Sequence, residues 1–401
     1  MRGSYGEVGN DQIGGDRFLY LPSSYGAASD SGVNKYNFGL ASNPYTSLMI
    51  VENKIGNPDL TWEKAKKMNV GVDINLFNNC LTASFDIFKE KRNNILANRS
   101  TSPMIIGANL PAYNFGEMEN RGWEMDLNFR HHIQDFHYWA RFNYSFARNE
   151  IIYMDEVQKR YDYQMTTGRR KNQFFGLIFD GYYNSWEEIN ALDRPKSSWS
   201  GNQLQPGDVK YIDVNQDGVI DDYDMVPIGY TPVPEIIYGF SFGAQYKGFD
   251  FSILFQGADN VSIKYFGRSM WPFAKGEESA KSLIKERWTQ ERYEAGEKIT
   301  FPRLSLNPNG ETDHNYRPST LWIRDASYLR LKNLEVGYTF TGGFVKRLNL
   351  NSVRLYFNGS NLFTWTDVVD LDPEAPSRSG NVEINTYPLQ KVYNIGLNIN
   401  F

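Results

Sequence analysis

No stretch of this 401-residue chain approaches the roughly 18 uninterrupted apolar residues that a membrane-spanning helix requires, and its mean hydropathy is negative. Helical integration is excluded, but membrane-crossing strands alternate polar and apolar residues, so a barrel stays open. Cysteine is nearly absent: Cys80 stands alone, permits no internal disulfide and has no activating base indicated beside it. Histidine is almost as scarce, with only His131, His132, His137 and His314 and no HExxH-type zinc spacing. Long runs of one charge are missing and the formal net charge is −5, which gives nucleic acid no footing. There is no GxSxG elbow, P-loop or dinucleotide fingerprint. Acidic pairs such as Glu187-Glu188 and Glu277-Glu278 read as solvated loop surface, so no catalytic residues and no enzyme are expected. After Met1 the chain reads RGSYGEVGN, a strand-like segment without the basic and apolar stretches of a signal peptide.

What the chain does have is aromatic residues, 26 Tyr, 26 Phe and 9 Trp, set in segments of period two. The last of these, Pro388 to Phe401, places Leu389, Tyr393, Ile395, Leu397, Ile399 and Phe401 on one parity and Gln390, Asn394, Gly396, Asn398 and Asn400 on the other. A strand of about ten residues with a greasy face, a wet face and a final Phe fits the wall of an outer-membrane barrel. Similar alternation predicts strands at Arg2 to Asn10, Thr61 to Phe77, Cys80 to Arg92, Gly116 to His131, Phe136 to Glu150, Glu235 to Lys247, Phe249 to Asp259, Asp325 to Phe340 and Val353 to Phe363. With the terminal strand that makes ten, joined alternately by short turns and long segments. The short links are Asn78-Asn79, Ile133 to Asp135, Gly248 and Thr341 to Ser352. The long ones are Gly9 to Leu60, Asn93 to Phe115, Ile151 to Pro234, Asn260 to Arg324 and Thr364 to Tyr387. Short periplasmic turns and long extracellular loops are the barrel pattern, and they put Phe401 at the periplasmic face.

Within one long segment, YIDVNQDGVIDDYD places Asp213, Asn215, Asp217 and Gly218 at positions 1, 3, 5 and 6 of an EF-hand-type calcium loop. Alternate oxygen side chains converge on a hard cation there, the Gly permits the sharp turn, and the Val219 carbonyl, Asp221 and Asp224 complete the set. Asp224 stands where the loop usually carries Glu, which shortens the reach for bidentate coordination. The reading expects Ca2+ to rigidify a surface loop; a solvated Asx-rich turn is the competing account. The same long segments hold Tyr182, Tyr183, Trp186 and Trp271, flat rings among Asn, Asp and Gln that suit an oligosaccharide or peptide, or that pack the loops together.

The chain resembles the SusC/RagA-type TonB-linked outer-membrane transporters of Bacteroidota. The resemblance is carried by Asn57-Pro58-Asp59-Leu60-Thr61-Trp62-Glu63, by PGDVKYIDVNQDGVIDDYDMVPIGY from Pro206 to Tyr230, and by YGFSFGAQYKGFDFSILFQGA from Tyr238 to Ala258. It continues through RDASYLRLKNLEVGYTF from Arg324 to Phe340, FNGSNLFTWT from Phe357 to Thr366, and Phe401. It implies an all-β, antiparallel transmembrane barrel of about 22 strands with a plugged lumen. Such a barrel imports oligosaccharides or peptides with energy from TonB and is capped by a SusD-like surface lipoprotein. Residues 1-401 then form the C-terminal part, some ten strands of barrel wall in contact with outer-membrane lipid, without plug domain, TonB box or signal peptide. On that reading the isolated chain is neither exported nor a transporter, TonB acts through the missing N-terminal part, and the last strand is an unclosed edge. Two other readings stay open: a complete small barrel acting as channel or enzyme, and a soluble carbohydrate-binding β-protein.

Overall fold

The computed structural model describes residues 1–11, 19–21, 26–27, 35–40, 45–48, 50–51, 55–101, 110–199, 204–265, 271–273, 282–305, 313–369, 371–374, 381–382 and 388–401. The acidic pair Glu277-Glu278 lies outside them. Ten long strands form one antiparallel sheet in which each pairs with the next along the chain. They are β1 (Arg2–Asn10), β2 (Glu63–Leu76), β3 (Leu81–Ala97), β4 (Tyr113–Ile133), β5 (Phe136–Tyr153), β6 (Ile236–Tyr246), β7 (Phe249–Asp259), β8 (Tyr328–Phe340), β9 (Ser352–Thr366) and β10 (Val392–Asn400). Among the described residues β1 pairs only with β2 and β10 only with β9, so the sheet is open at both edges.

The tight turns lie at one end of the sheet and have local causes. Phe77, Asn78 and Asn79 are all left-handed, and the Cys80 N–H closes the turn onto the Phe77 carbonyl at 3.1 Å. Between β6 and β7 only Lys247 and Gly248 intervene, both at positive φ, as a two-residue hairpin requires. Ile133 remains paired with Phe136, so the β4–β5 turn is only Gln134 and Asp135. The β8–β9 link carries a short helix, Gly343–Arg347. Phe401 is at this end too, its carbonyl accepting from the Asn351 side chain at 2.6 Å.

Register converts the alternation into two faces. Leu76, Leu81, Phe129, Ala140, Phe242, Ile253, Leu334, Gly359 and Tyr393 face one another in turn across nine strands, a row without a polar side chain except the Tyr hydroxyl. The neighbouring row on the opposite face runs Asn75, Thr82, Asn128, Arg141, Ser241, Leu254, Asn333 and Ser360.

Two expectations are corrected. Asp325 to Phe340 is not one strand: Ile323–Asp325 pairs with Ser262–Lys264 in a separate small sheet, and only Tyr328–Phe340 enters the wall. The break is local, because the Asp325 carboxylate accepts the Ser327 N–H at 2.7 Å and turns the backbone. Strict parity also fails in β8 and β9, where matched bulges lie at Lys332 and at Asn361-Leu362, with Asn361 at φ 55°. The extra residues keep Leu331 and Phe363 on the apolar face while Arg330 and Thr364 stay on the polar one.

The apolar core is in the other layer, made by the long connections. Leu177, Val209, Ile263, Tyr265, Phe301, Tyr316 and Trp322 are all buried there, with Trp322 only 2% exposed. Short pairings hold this layer, among them Phe179–Tyr182 with Val209–Tyr211 and Lys196–Ser197 with Val219–Ile220. Each large ring buried in this way contributes about 1.5–3 kcal/mol, enough to fold segments whose sequence shows no periodicity.

Candidate functional site

The apolar face is exposed: Ile395 is 80% and Leu397 56% accessible, and Val70, Ile87, Phe249 and Phe340 are exposed as well. An uncovered apolar surface running the width of nine strands exceeds what a water-soluble protein leaves bare. Aromatic rings bound it. Toward the turns lie Phe136, Tyr246, Phe249, Tyr338 and Phe340, with Phe249 and Tyr338 rings 4.4 Å apart. Toward the long connections lie Trp123 stacked on Tyr144 at 4.7 Å and Phe363 near Trp365. From Trp123 to Ile133 on β4 is roughly 33 Å along the strand, or about 25 Å of height at a tilt near 40°.

On the polar face, ion pairs cross whole strands. Arg2 donates to Asp73 at 2.7 Å and reaches Asp86 over β2. Gly71 lies beneath, and a Cβ there would stand 2.8 Å from the Arg2 Nε. The pattern repeats where Arg354 spans β8 to Asp250 while also donating to Glu335 at 2.5 Å. There a Cβ on Gly337 would stand 2.7 Å from both the Arg354 guanidinium and the Asp250 carboxylate, so glycine clears the bridge. Arg330, almost wholly buried, donates to Asp372 at 2.7 Å and Glu374 at 2.8 Å and draws the segment after β9 against the wall. Sequence reasoning missed these residues; charged groups at wet-parity positions, flanking a wet-parity glycine, were the available signal. Asn57, the first residue of the Asn57-to-Glu63 motif, is buried, donates to the Ala112 carbonyl at 2.9 Å and accepts the Asp59 N–H at 3.0 Å.

The calcium-type loop lies in the loop layer. Asp213 accepts the N–H groups of Gln216 at 2.7 Å and Gly218 at 2.8 Å, and Gly218 is left-handed at φ 83°. Asp217 accepts from Val219 at 2.9 Å, Asn215 from Asp217 at 3.0 Å, and Asp221 from Tyr223 at 2.7 Å. Asp224 is fully buried and accepts from Val214 at 2.8 Å and Asp221 at 2.9 Å. Its burial, with the charge of Asp213 adding to it, lifts the carboxyl above the usual range despite those donors. The six expected ligand residues are thus brought into one turn, and the five side chains among them accept backbone N–H groups. Among the described residues, no three His, Cys, Asp or Glu side chains are disposed to hold a metal.

Of the four rings named as ligand contacts, Tyr182, Tyr183 and Trp271 are buried, at 8%, 7% and 9% exposure, and Tyr182 and Trp271 belong to the loop core. Burial pushes the Tyr182 hydroxyl upward. Trp186 alone is open, at 54%, on the short helix Trp186–Ile189, whose Ser185 cap accepts the Glu188 N–H. His314 is buried against the Tyr211 ring, its Nε2 2.8 Å from the Val209 carbonyl and its Nδ1 3.2 Å from Ser197.

A sheet with an exposed apolar band between two aromatic girdles and a charged opposite face is the wall of a transmembrane β-barrel. The chain belongs to the TonB dependent receptor-like, beta-barrel family, whose model matches residues 2–362. TonB-dependent receptor P3 of Formosa agariphila is 27% identical over 419 residues, covering 100% of this chain and 39% of that protein. SusC of Bacteroides thetaiotaomicron is 26% identical over 407 residues, covering 100% of this chain and 37% of that protein. The RagAB peptide importer in its open-open state has the same fold, with a TM-score of 0.69 at 23% identity over 100% of this chain and 40% of that one. The chain therefore spans about two fifths of the length of the relatives it matches. Proteins of this family reside in the outer membrane.

Proposed function

We propose that this chain is the C-terminal part of an importer of oligosaccharides or peptides, working in the outer membrane with energy from TonB. The observation that carries the reading is the two-faced sheet, whose exposed apolar face would meet lipid and whose face bearing Arg2, Arg330 and Arg354 would line the lumen. Kinship with SusC and with a peptide importer supports the substrate classes and a SusD-like surface lipoprotein as partner. TonB would act through a region outside this chain. Of the four rings named, the exposed Trp186 would touch a ligand as the loops stand, whereas Tyr182, Tyr183 and Trp271 would reach one only if the loop core opened.

Uptake assays in the source cell test this. Loss of the gene should abolish growth on a particular peptide or glycan, and loss of TonB should do the same, while Trp186→Ala should weaken uptake. Unchanged uptake without TonB would sink the reading.

We further propose that the loop from Asp213 to Asp224 takes Ca2+ through Asp213, Asn215, Asp217, the Val219 carbonyl, Asp221 and Asp224. Support comes from an all-oxygen donor set in a turn already closed by Gly218, in which Asp213 Oδ2, Asp217 Oδ1, Asp221 Oδ1 and Asp224 Oδ2 each accept one N–H and keep a second lone pair. The cation would offset the crowding of Asp213 and Asp224. Titration calorimetry that detects no heat at millimolar calcium would refute it.

A further inference from the structure

Basic residues are unevenly spread over the lipid face. The outward positions of β6 to β10 hold neither Lys nor Arg, whereas β2 to β5 carry Lys64, Lys66, Lys89, Lys91, Arg121 and Arg148. All six stand beyond the girdle on the side of the long connections. The row Val70, Ile87, Trp123 and Phe146 closes the apolar band, and the next outward row, roughly 7 Å further along each strand, is Met68, Lys89, Arg121 and Arg148. Lys66, Lys91 and Glu119 follow.

These cations sit at headgroup depth, because interfacial aromatic rings mark that level and the basic row is one pleat beyond Trp123. Arg148 is engaged by the buried Glu235 and is set aside. Most of the others hold a carboxylate on a neighbouring strand: Lys64 meets Glu7 at 3.2 Å, Lys89 meets Glu119 at 2.8 Å, Lys91 meets Glu117 at 2.9 Å, and Arg121 meets Glu150 only at 3.9 Å, with the Lys89 and Arg121 side chains more than half exposed. Exposed pairs of this kind contribute little, so an anion of higher charge density displaces the carboxylates. A guanidinium and an ammonium on adjacent strands, about 5 Å apart at the backbone, match the oxygens of one phosphate. Val70, Ile87 and Trp123, one row below them, match acyl chains.

We propose that the outward rim of β2 to β4 binds a phosphate-bearing lipid of the outer leaflet, with Arg121 and Lys89 on a phosphate and Lys66 and Lys91 beside it. This rests on the apolar face meeting lipid. Continuity with the apolar band favours a membrane lipid over a free phosphate, since only a lipid uses both parts of the surface.

The test uses the complete protein, extracted from its outer membrane in mild detergent, with bound lipid identified by native mass spectrometry. The wild type should retain a phosphorylated lipid, and Lys89→Glu with Arg121→Glu should reduce its retention about tenfold or more. Lys346→Glu, in the helix at the turn end, should leave it unchanged. A gel shift on heating reports barrel integrity; if the double reversal does not fold, Lys89→Gln with Arg121→Gln gives the same reading. Equal retention by an intact variant, or displacement of the wild-type lipid by inorganic phosphate alone, would overturn the proposal. A wild type absent from the outer-membrane fraction would instead remove the premise and both readings with it.

Discussion

Asp224 concentrates in one carboxylate what the loop layer asks of its residues. It is fully buried and closes the turn by accepting N–H groups from Val214, Asn215 and Asp221, so Asp224→Ala leaves buried donors without partners. A loss of about 1–3 kcal/mol follows, read by denaturant unfolding or by faster proteolysis of the loop. His314 makes a second prediction. Burial depresses its pKa below the ordinary value near 6.5, while the Val209 carbonyl works against that shift. A depressed folded pKa means that His314's contribution is fully present above pH 6.5 and is lost as pH falls toward the lower folded value. Histidine NMR should show a midpoint below 6.5, with loop-layer stability falling on acidification; a midpoint at or above 6.5 would contradict the burial. The motif around Asp213 and Gly218 was legible because its spacing is local. That Tyr182 and Trp271 would be core was not, since their burial depends on partners such as Phe179 and Tyr316, the latter 45 positions from Trp271.

At the scale of the element, β7 states the rule of the wall most cleanly. Phe249, Phe251, Ile253 and Phe255 share the apolar face, with Asp250, Ser252 and Leu254 opposite. Ile253→Arg, near mid-height of the band, should cost about 2–4 kcal/mol and reduce assembled barrel, while Ser252→Arg should leave assembly near wild type. Heat-modifiable gel mobility compares the two, and equal damage from both would count against the assignment of faces. All ten strands were legible because period two is a local signal that survives without knowledge of the partner strand. The bulges at Lys332 and Asn361 were not, since a bulge shows only in how two strands face each other. Nor was the break at Ala326, where the strand leaves the wall to pair with Ser262–Lys264 and the Ala326 N–H meets the Val261 carbonyl at 3.0 Å.

At the scale of the whole molecule, the chain joins a sheet without a covered core to a loop layer that has one. The sheet leaves its apolar face uncovered, as the proposed lipid contact requires, and the loop layer buries its own apolar surface around Trp322, Phe301 and their neighbours. Arg330 ties the two together by holding Asp372 and Glu374 against β8. The measurement that tests this account most directly is a spin-label scan along β7 in the complete protein in lipid, with Cys80 first replaced by serine. Labels at 249, 251, 253 and 255 should be reached by oxygen dissolved in the bilayer, and labels at 250, 252 and 254 by a water-soluble nickel reagent. Loss of that alternation, or its reversal, would contradict the assignment of this sheet as a membrane wall.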